Sequence, residues 1–303
     1  MKLGIFQGAF PAALNLSACL RSAKAAGFAG FELSLETAEA LLPEAYNEET
    51  ESILAIQKSV GLLEPKPDGV RFESAHEDCP EIKTMAQQAE INITSISTMQ
   101  LFYYPLSSPI PTVKSRAVEI VRCMIDVMAG LGGDLVLVAP GMVTGASDYA
   151  ETWPRTRAAI EELLPYAEEK KIQLALENIW NKFLLSPIEF AQFIDDFRSP
   201  WIGAYFDVAN ILAYGNPDQW IRHLGSRLLR VHFKDYRLDL GGIQGFTHLL
   251  HGDVPWGKVR QALFDIQYDG WIIAEVTPYR AYSEQTIPDT YAAMQHILSR
   301  QPG

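Results

Sequence analysis

Short, nearly continuous apolar runs recur along the chain and alternate with segments in which apolar residues return every three or four positions. Runs of the first kind occupy 2–7, 29–34, 92–98, 134–139, 172–177, 201–207, 228–233 and 271–276. Each reads as a strand covered on both faces, the pattern of a parallel sheet flanked by helices. The amphipathic segments predict helices over 15–26, 114–131, 154–170, 186–197, 217–224, 256–267 and 284–299. Two of these carry start signals: Asn15 as a cap, and Ser186-Pro187 with Glu189 in the first turn. The stretch 35–91 is long for one connection. It predicts two helices, about 37–60 and 76–90, around a Pro-Lys-Pro-Asp-Gly turn at 65–69, an elaboration suited to a lid or an oligomer contact.

No Pro/Ser/Gly-rich linker and no block of charge divides this alternation, so residues 1–303 read as a single domain. Eight strand–helix repeats predict an α/β protein closed into a (β/α)8 barrel, with an elaborated connection between the second and third strands. An open doubly wound sheet also alternates. Against it, no GxGxxG follows the first strand, and the candidate ligands come from four successive strands instead of one switch point.

Those candidates are Glu177, Asp207, His232 and Glu275, each at or near the carboxyl end of an apolar run. A charge ending a hydrophobic strand is partly desolvated, which proteins tolerate mainly where it is paired or holds a metal. In a barrel the carboxyl ends of all strands face one mouth. Side-chain alternation puts Glu177 on the face of Ala175, Asp207 with Tyr205, Glu275 with Ile273, and His232 with Lys234. Three carboxylates and an imidazole form a hard donor set for a divalent cation, Mn²⁺ first, with Mg²⁺ or Co²⁺ as alternatives. Bound there, the cation would polarise a ketose carbonyl and stabilise the enediolate left by deprotonation, with Glu177 and Glu275 as the proton-transfer pair.

Composition narrows the partners. A formal charge of -12 argues against nucleic acid and anionic membranes, both of which reward clustered Lys and Arg. No apolar segment approaches membrane-spanning length, and the first residues, Met1 to Gly8, enter a strand-like run without a signal-peptide pattern, so a cytoplasmic enzyme on a small carbohydrate is expected. Cys19, Cys79 and Cys123 are odd in number and lack CxxC spacing, which favours reduced thiols.

The segments Gly30-Phe31-Glu32-Leu33-Ser34, Leu174-Ala175-Leu176-Glu177-Asn178, Phe206-Asp207-Val208-Ala209-Asn210, Val231-His232-Phe233-Lys234-Asp235 and Gly252-Asp253-Val254-Pro255-Trp256 resemble the xylose isomerase-like TIM-barrel family. Within it they are most similar to sugar-phosphate isomerases and 3-epimerases, the L-ribulose-5-phosphate 3-epimerase and hexulose-6-phosphate isomerase group. The resemblance implies a metal-dependent ketose or ketose-phosphate 3-epimerase or isomerase, in which Glu177, Asp207, His232 and Glu275 hold the metal and the two glutamates also move protons. It implies a homo-oligomer, dimer or tetramer. Two departures stand out: Asn210 replaces a substrate-binding histidine of the free-ketose enzymes, and His251 stands where many relatives have glutamate.

Further substrate-binding candidates each have a plainer reading. Asn210 either meets substrate or caps the turn after its strand. Lys234 either faces the mouth or forms a solvated pair with Asp235. Glu32 either bonds a sugar hydroxyl or neutralises a cation at the barrel mouth. Arg237 either contacts a hydroxyl or phosphate or is simply solvated. Trp180, with Phe183, either walls the sugar or packs on the next helix. His251 either acts as an added acid or base or has no duty in its loop. Its chemistry motivates the competing function, a metal-dependent lyase or hydrolase such as a 3-keto-glycoside eliminase or dehydratase; a non-catalytic sugar-binding protein is the remaining class.

Overall fold

The computed structural model describes residues 1–59, 69–145 and 147–299. Among the described residues, eight parallel strands and a two-residue ninth, Val70–Arg71, form its sheet, the eight being β1 (Lys2–Phe6), β2 (Gly30–Glu36), β3 (Asn92–Ser97), β4 (Leu135–Val138), β5 (Gln173–Glu177), β6 (Ile202–Asp207), β7 (Leu228–Phe233) and β8 (Trp271–Ala274). β1 pairs with both β2 and β8, β2 with β3, and β4 to β8 pair in sequence. β3 and β4 lie against each other and complete the curl. The architecture is the expected TIM-barrel type, with every expected strand within two residues of its place.

Two apolar layers follow from strand alternation. Leu135, Leu137, Ala175, Tyr205 and Ile273 form a small cluster of their own, with Phe6, Leu229 and Trp271 against it. Leu174, Leu176, Phe206, Val231, Phe233, Ile272 and Ala274 belong to the larger cluster shared with the helices. The residues predicted to share a face with Glu177, Asp207 and Glu275 are therefore together in the inner layer.

Nine α-helices are present among the described residues: α1 (Leu16–Ala26), α2 (Glu48–Ser59), α3 (Ala75–Gln88), α4 (Pro111–Leu131), α5 (Tyr149–Lys170), α6 (Pro187–Asp195), α7 (Pro217–Leu224), α8 (Trp256–Asp265) and α9 (Thr286–Ser299). Asn15 caps α1 by accepting from the Ala18 amide at 2.9 Å, and Ser186 caps α6 by accepting from Glu189 at 3.2 Å. None of these helices is long and apolar enough to cross a membrane. All three cysteines are free, and burial pushes the Cys19 and Cys123 thiols up to about 12.

The elaborated connection differs from expectation in one respect. A helix from 37 is expected, yet α2 starts at Glu48. The Glu73 carboxylate accepts from the Thr37 hydroxyl and from the Ala38 and Glu39 amides, which ties residues 37–39 to the segment before α3. Pro43 then disfavours helix at Leu42. The helix begins where Asn47 and Thr50 cap each other reciprocally, at 2.9 and 3.0 Å. Val70–Arg71 adds two residues of parallel pairing to the end of β2. The turn expected at 65–69 lies, apart from Gly69, outside the described residues.

Candidate metal centre

β5 and β6 end on Glu177 and Asp207, β7 carries His232 one residue before its end, and Glu275 follows β8 directly. Register does the rest: His232 pairs with Asp207 on one side and Ile273 on the other, so four residues from distant parts of the chain arrive at one level. One ligand atom from each of Glu177, Asp207, His232 and Glu275 lies within 4.8 Å of all the others. His232 Nδ1 stands 3.0 Å from Glu177 Oε1 and 3.3 Å from Glu275 Oε2.

Asp207 is fully buried. Its Oδ1 accepts from the amides of Ala209 at 2.7 Å and Asn210 at 2.9 Å. Its Oδ2 is buried without a hydrogen-bond partner among the described residues, and the Lys234 ammonium lies 3.7 Å from it. A buried carboxylate oxygen with no donor is costly, and its presence among two more carboxylates and an imidazole is what a cation site requires. The residues present therefore fit a hard divalent ion.

The electrostatics are those of crowded acids in a dry place. Burial pushes Glu177 up to about 7, against the opposing pull of His232. Burial also raises Asp207, with Lys234 resisting. Glu275 moves the other way: burial would raise it, yet Lys234 and His232 outweigh that and hold it well below the usual carboxylate range. Burial disfavours the charged forms of His232 and Lys234, but the surrounding carboxylates prevail and hold both above their ordinary values.

Lys234 reaches the cluster, with its ammonium 2.9 Å from Glu275 Oε2 and 4.5 Å above the Phe246 ring. Its expected surface pairing with Asp235 is absent from the structure; Asp235 is buried and its carboxylate instead accepts from Tyr236, Leu250, Val254 and the Trp256 indole. Asn210 is buried and bonded to the cluster's frame: its amide donates to the Asn178 carbonyl at 3.0 Å, and its carbonyl accepts from the Trp180 indole at 2.7 Å. Trp180 packs on Tyr236 and Phe246, an aromatic patch beside Lys234, whereas Phe183 packs on Phe193 of the next helix, α6, with ring centroids 5.7 Å apart. Phe246 comes from a short antiparallel pair, Asp235–Tyr236 with Phe246–Thr247, which the sequence reading misses.

Three candidates sit elsewhere. Glu32 is fully buried, with one oxygen taking the Ser95 and Tyr205 hydroxyls, both at 2.6 Å, and the other 3.1 Å from His232 Nε2. It stands behind the histidine, with both oxygens against protein groups. Arg237 is exposed and grips Asp239 at 2.6 and 3.0 Å, a surface pair that satisfies its guanidinium without a ligand. His251 is exposed, its ring 6.3 Å from that of His248, with no contact to the four-residue group among the described residues.

Asn178 is the functional residue that sequence reasoning overlooks. Its side chain donates to the Asp207 carbonyl and accepts from the Asp207 amide, both at 2.8 Å, clamping β6 to the end of β5. Its only signal is its position: an asparagine directly after a strand-ending glutamate.

A family model described as the xylose isomerase-like TIM barrel matches residues 20–297. A putative L-ribulose-5-phosphate 3-epimerase of Haemophilus influenzae is 23% identical over 235 residues, 77% of this chain and 73% of that protein. A D-psicose 3-epimerase of Enterocloster bolteae is 28% identical over 149 residues, 48% of this chain and 47% of that one, so the chain spans about half the length of this relative. Among solved structures, the apo form of a 3-keto-D-glucoside 4-epimerase from Escherichia coli superposes with a TM-score of 0.73 at 15% identity, covering 98% of this chain and 99% of that one, a likeness of fold.

Proposed function

The chain belongs to the xylose isomerase-like TIM-barrel family, and on that premise we propose that it is a divalent-metal-dependent epimerase or isomerase of ketoses or ketose phosphates. The observation that supports this reading most is the convergence of Glu177, Asp207, His232 and Glu275 around the unpartnered Asp207 oxygen. These four residues would hold the ion, with Mn²⁺ the first choice for a donor set of three carboxylates and one imidazole. Such a cation would supply Lewis-acid polarisation of the substrate carbonyl.

The chain's own residues supply the rest. Glu177 and Glu275 flank His232 from strands with two others between them, and they serve as the two proton-transfer groups. One takes the proton from the carbon beside the carbonyl; the other, protonated beforehand, gives its own proton to that carbon, on the opposite face in an epimerisation. Lys234, beside Glu275, holds that carboxylate ionised and ready to accept. Trp180 and Phe246 present apolar faces suited to sugar C–H surfaces, and Asn210 keeps the turn after β6 in place below them.

The relatives are named for phosphorylated and free ketoses, and a neighbour of the same fold for a 3-keto-glucoside, so all three classes belong in the assay. Elimination depends on His251 as an extra acid or base, and its exposed position beside His248 lends that reading no support. Free ketoses, ketose 5-phosphates and a 3-keto-glucoside are incubated in D₂O with Mn²⁺ and followed by NMR. One class is expected to take up deuterium beside its carbonyl without releasing an aglycone. Glu177→Gln and Glu275→Gln should each lower that exchange by about 100-fold or more. Unchanged exchange in both variants would contradict the assigned roles.

A further inference from the structure

We propose that Glu32 is a positioning residue for His232: it accepts a hydrogen bond from Nε2–H and so leaves Nδ1 as the nitrogen that meets the cation. The inference rests on the reading that the four-residue group holds a divalent ion. Its own support is a second set of contacts, one level deeper in the barrel and built from β2, β3 and β6.

Tyr205 and Ser95 both send their hydroxyls to Oε2 of Glu32. With two donors on one oxygen, the carboxylate acts as an acceptor, and its other oxygen, 3.1 Å from His232 Nε2, also calls for a donor. An imidazole that ligates a metal is neutral and has a single N–H, so placing that N–H against Glu32 leaves Nδ1 free of a proton. Nδ1 is the atom that stands 3.0 Å from Glu177 and 3.3 Å from Glu275, on the side of the cluster. The Tyr205 ring, 4.3 Å from the imidazole, limits ring rotation as well. A hydrogen-bonded carboxylate behind a ligating histidine fixes its tautomer and raises its basicity, and loss of such a partner typically costs 10–100-fold in metal affinity.

Glu32→Gln probes this because its length is unchanged. The glutamine oxygen retains the two hydroxyls, and its amide N–H₂ then faces His232, which must become an acceptor at Nε2 and carry its proton on Nδ1. Calorimetric titration with Mn²⁺ should show affinity about 10–100-fold weaker than wild type, with the metal-free variant melting cooperatively as wild type does. Independently of any variant, ¹⁵N NMR of the wild-type protein loaded with diamagnetic Zn²⁺ should show His232 protonated at Nε2 with Nδ1 shifted by the metal. The reverse assignment, or Mn²⁺ affinity unchanged by Glu32→Gln, overturns the role of Glu32 alone. A wild-type protein that binds neither ion overturns this inference and the metal-dependent reading together.

Discussion

Asn178 shows how one side chain fixes another: its amide holds the Asp207 backbone. It satisfies both backbone groups of Asp207, so the carboxylate can spend its two oxygens elsewhere: one on the amides that follow, one toward the cluster. Asn178→Ala would bury the Asp207 amide and carbonyl unpaired, at a cost of about 1–3 kcal/mol. Urea unfolding should show that loss, and Mn²⁺ titration a weaker site; wild-type values for both would remove Asn178 from this role. The four residues that converge are legible in the sequence because each closes an apolar run at the end where barrel strands open. Glu32 is ambiguous for the same reason. It also sits in a strand, but only the fold reveals that Ser95, Tyr205 and His232 surround it. Arg237 illustrates the opposite failure: an arginine two residues from an aspartate at an exposed turn finds its partner locally.

At the scale of elements, strands are easier to read than connections. Buried parallel strands have little choice of composition, and a run such as Trp271-Ile272-Ile273-Ala274 declares itself. The start of α2 does not, since it depends on Glu73 holding residues 37–39 from a distance of more than thirty positions in sequence. The short antiparallel pair after β7 is hidden as well, because its geometry is set by Asp235. That carboxylate gathers three amides and an indole from residues 236 to 256, fastening the segment that carries Phe246 and the histidines. Asp235→Ala should loosen this segment while leaving the barrel folded. Limited proteolysis is expected to nick it between residues 237 and 253, with far-UV circular dichroism unchanged; a segment as resistant as wild type would show that other contacts hold it.

At the scale of the molecule, closure of the sheet turns sequence distance into proximity. Glu32 and His232 are 200 residues apart and share a hydrogen bond, and the four-residue group spans Glu177 to Glu275. Two layers result: an apolar floor of Leu135, Leu137, Ala175, Tyr205 and Ile273, and a charged layer toward the carboxyl ends of the strands. A chain of net charge -12 gathers four carboxylates at one end of this barrel. Lys234 and His232 offset only part of that charge, and the remainder is what the proposed divalent cation would balance.

Whether that cation binds where the side chains converge is open to direct observation. Crystals soaked in Mn²⁺ and measured at the manganese absorption edge should give one anomalous peak, within coordination distance of Glu177, Asp207, His232 Nδ1 and Glu275. A peak elsewhere, or none in crystals holding millimolar Mn²⁺, would contradict the account.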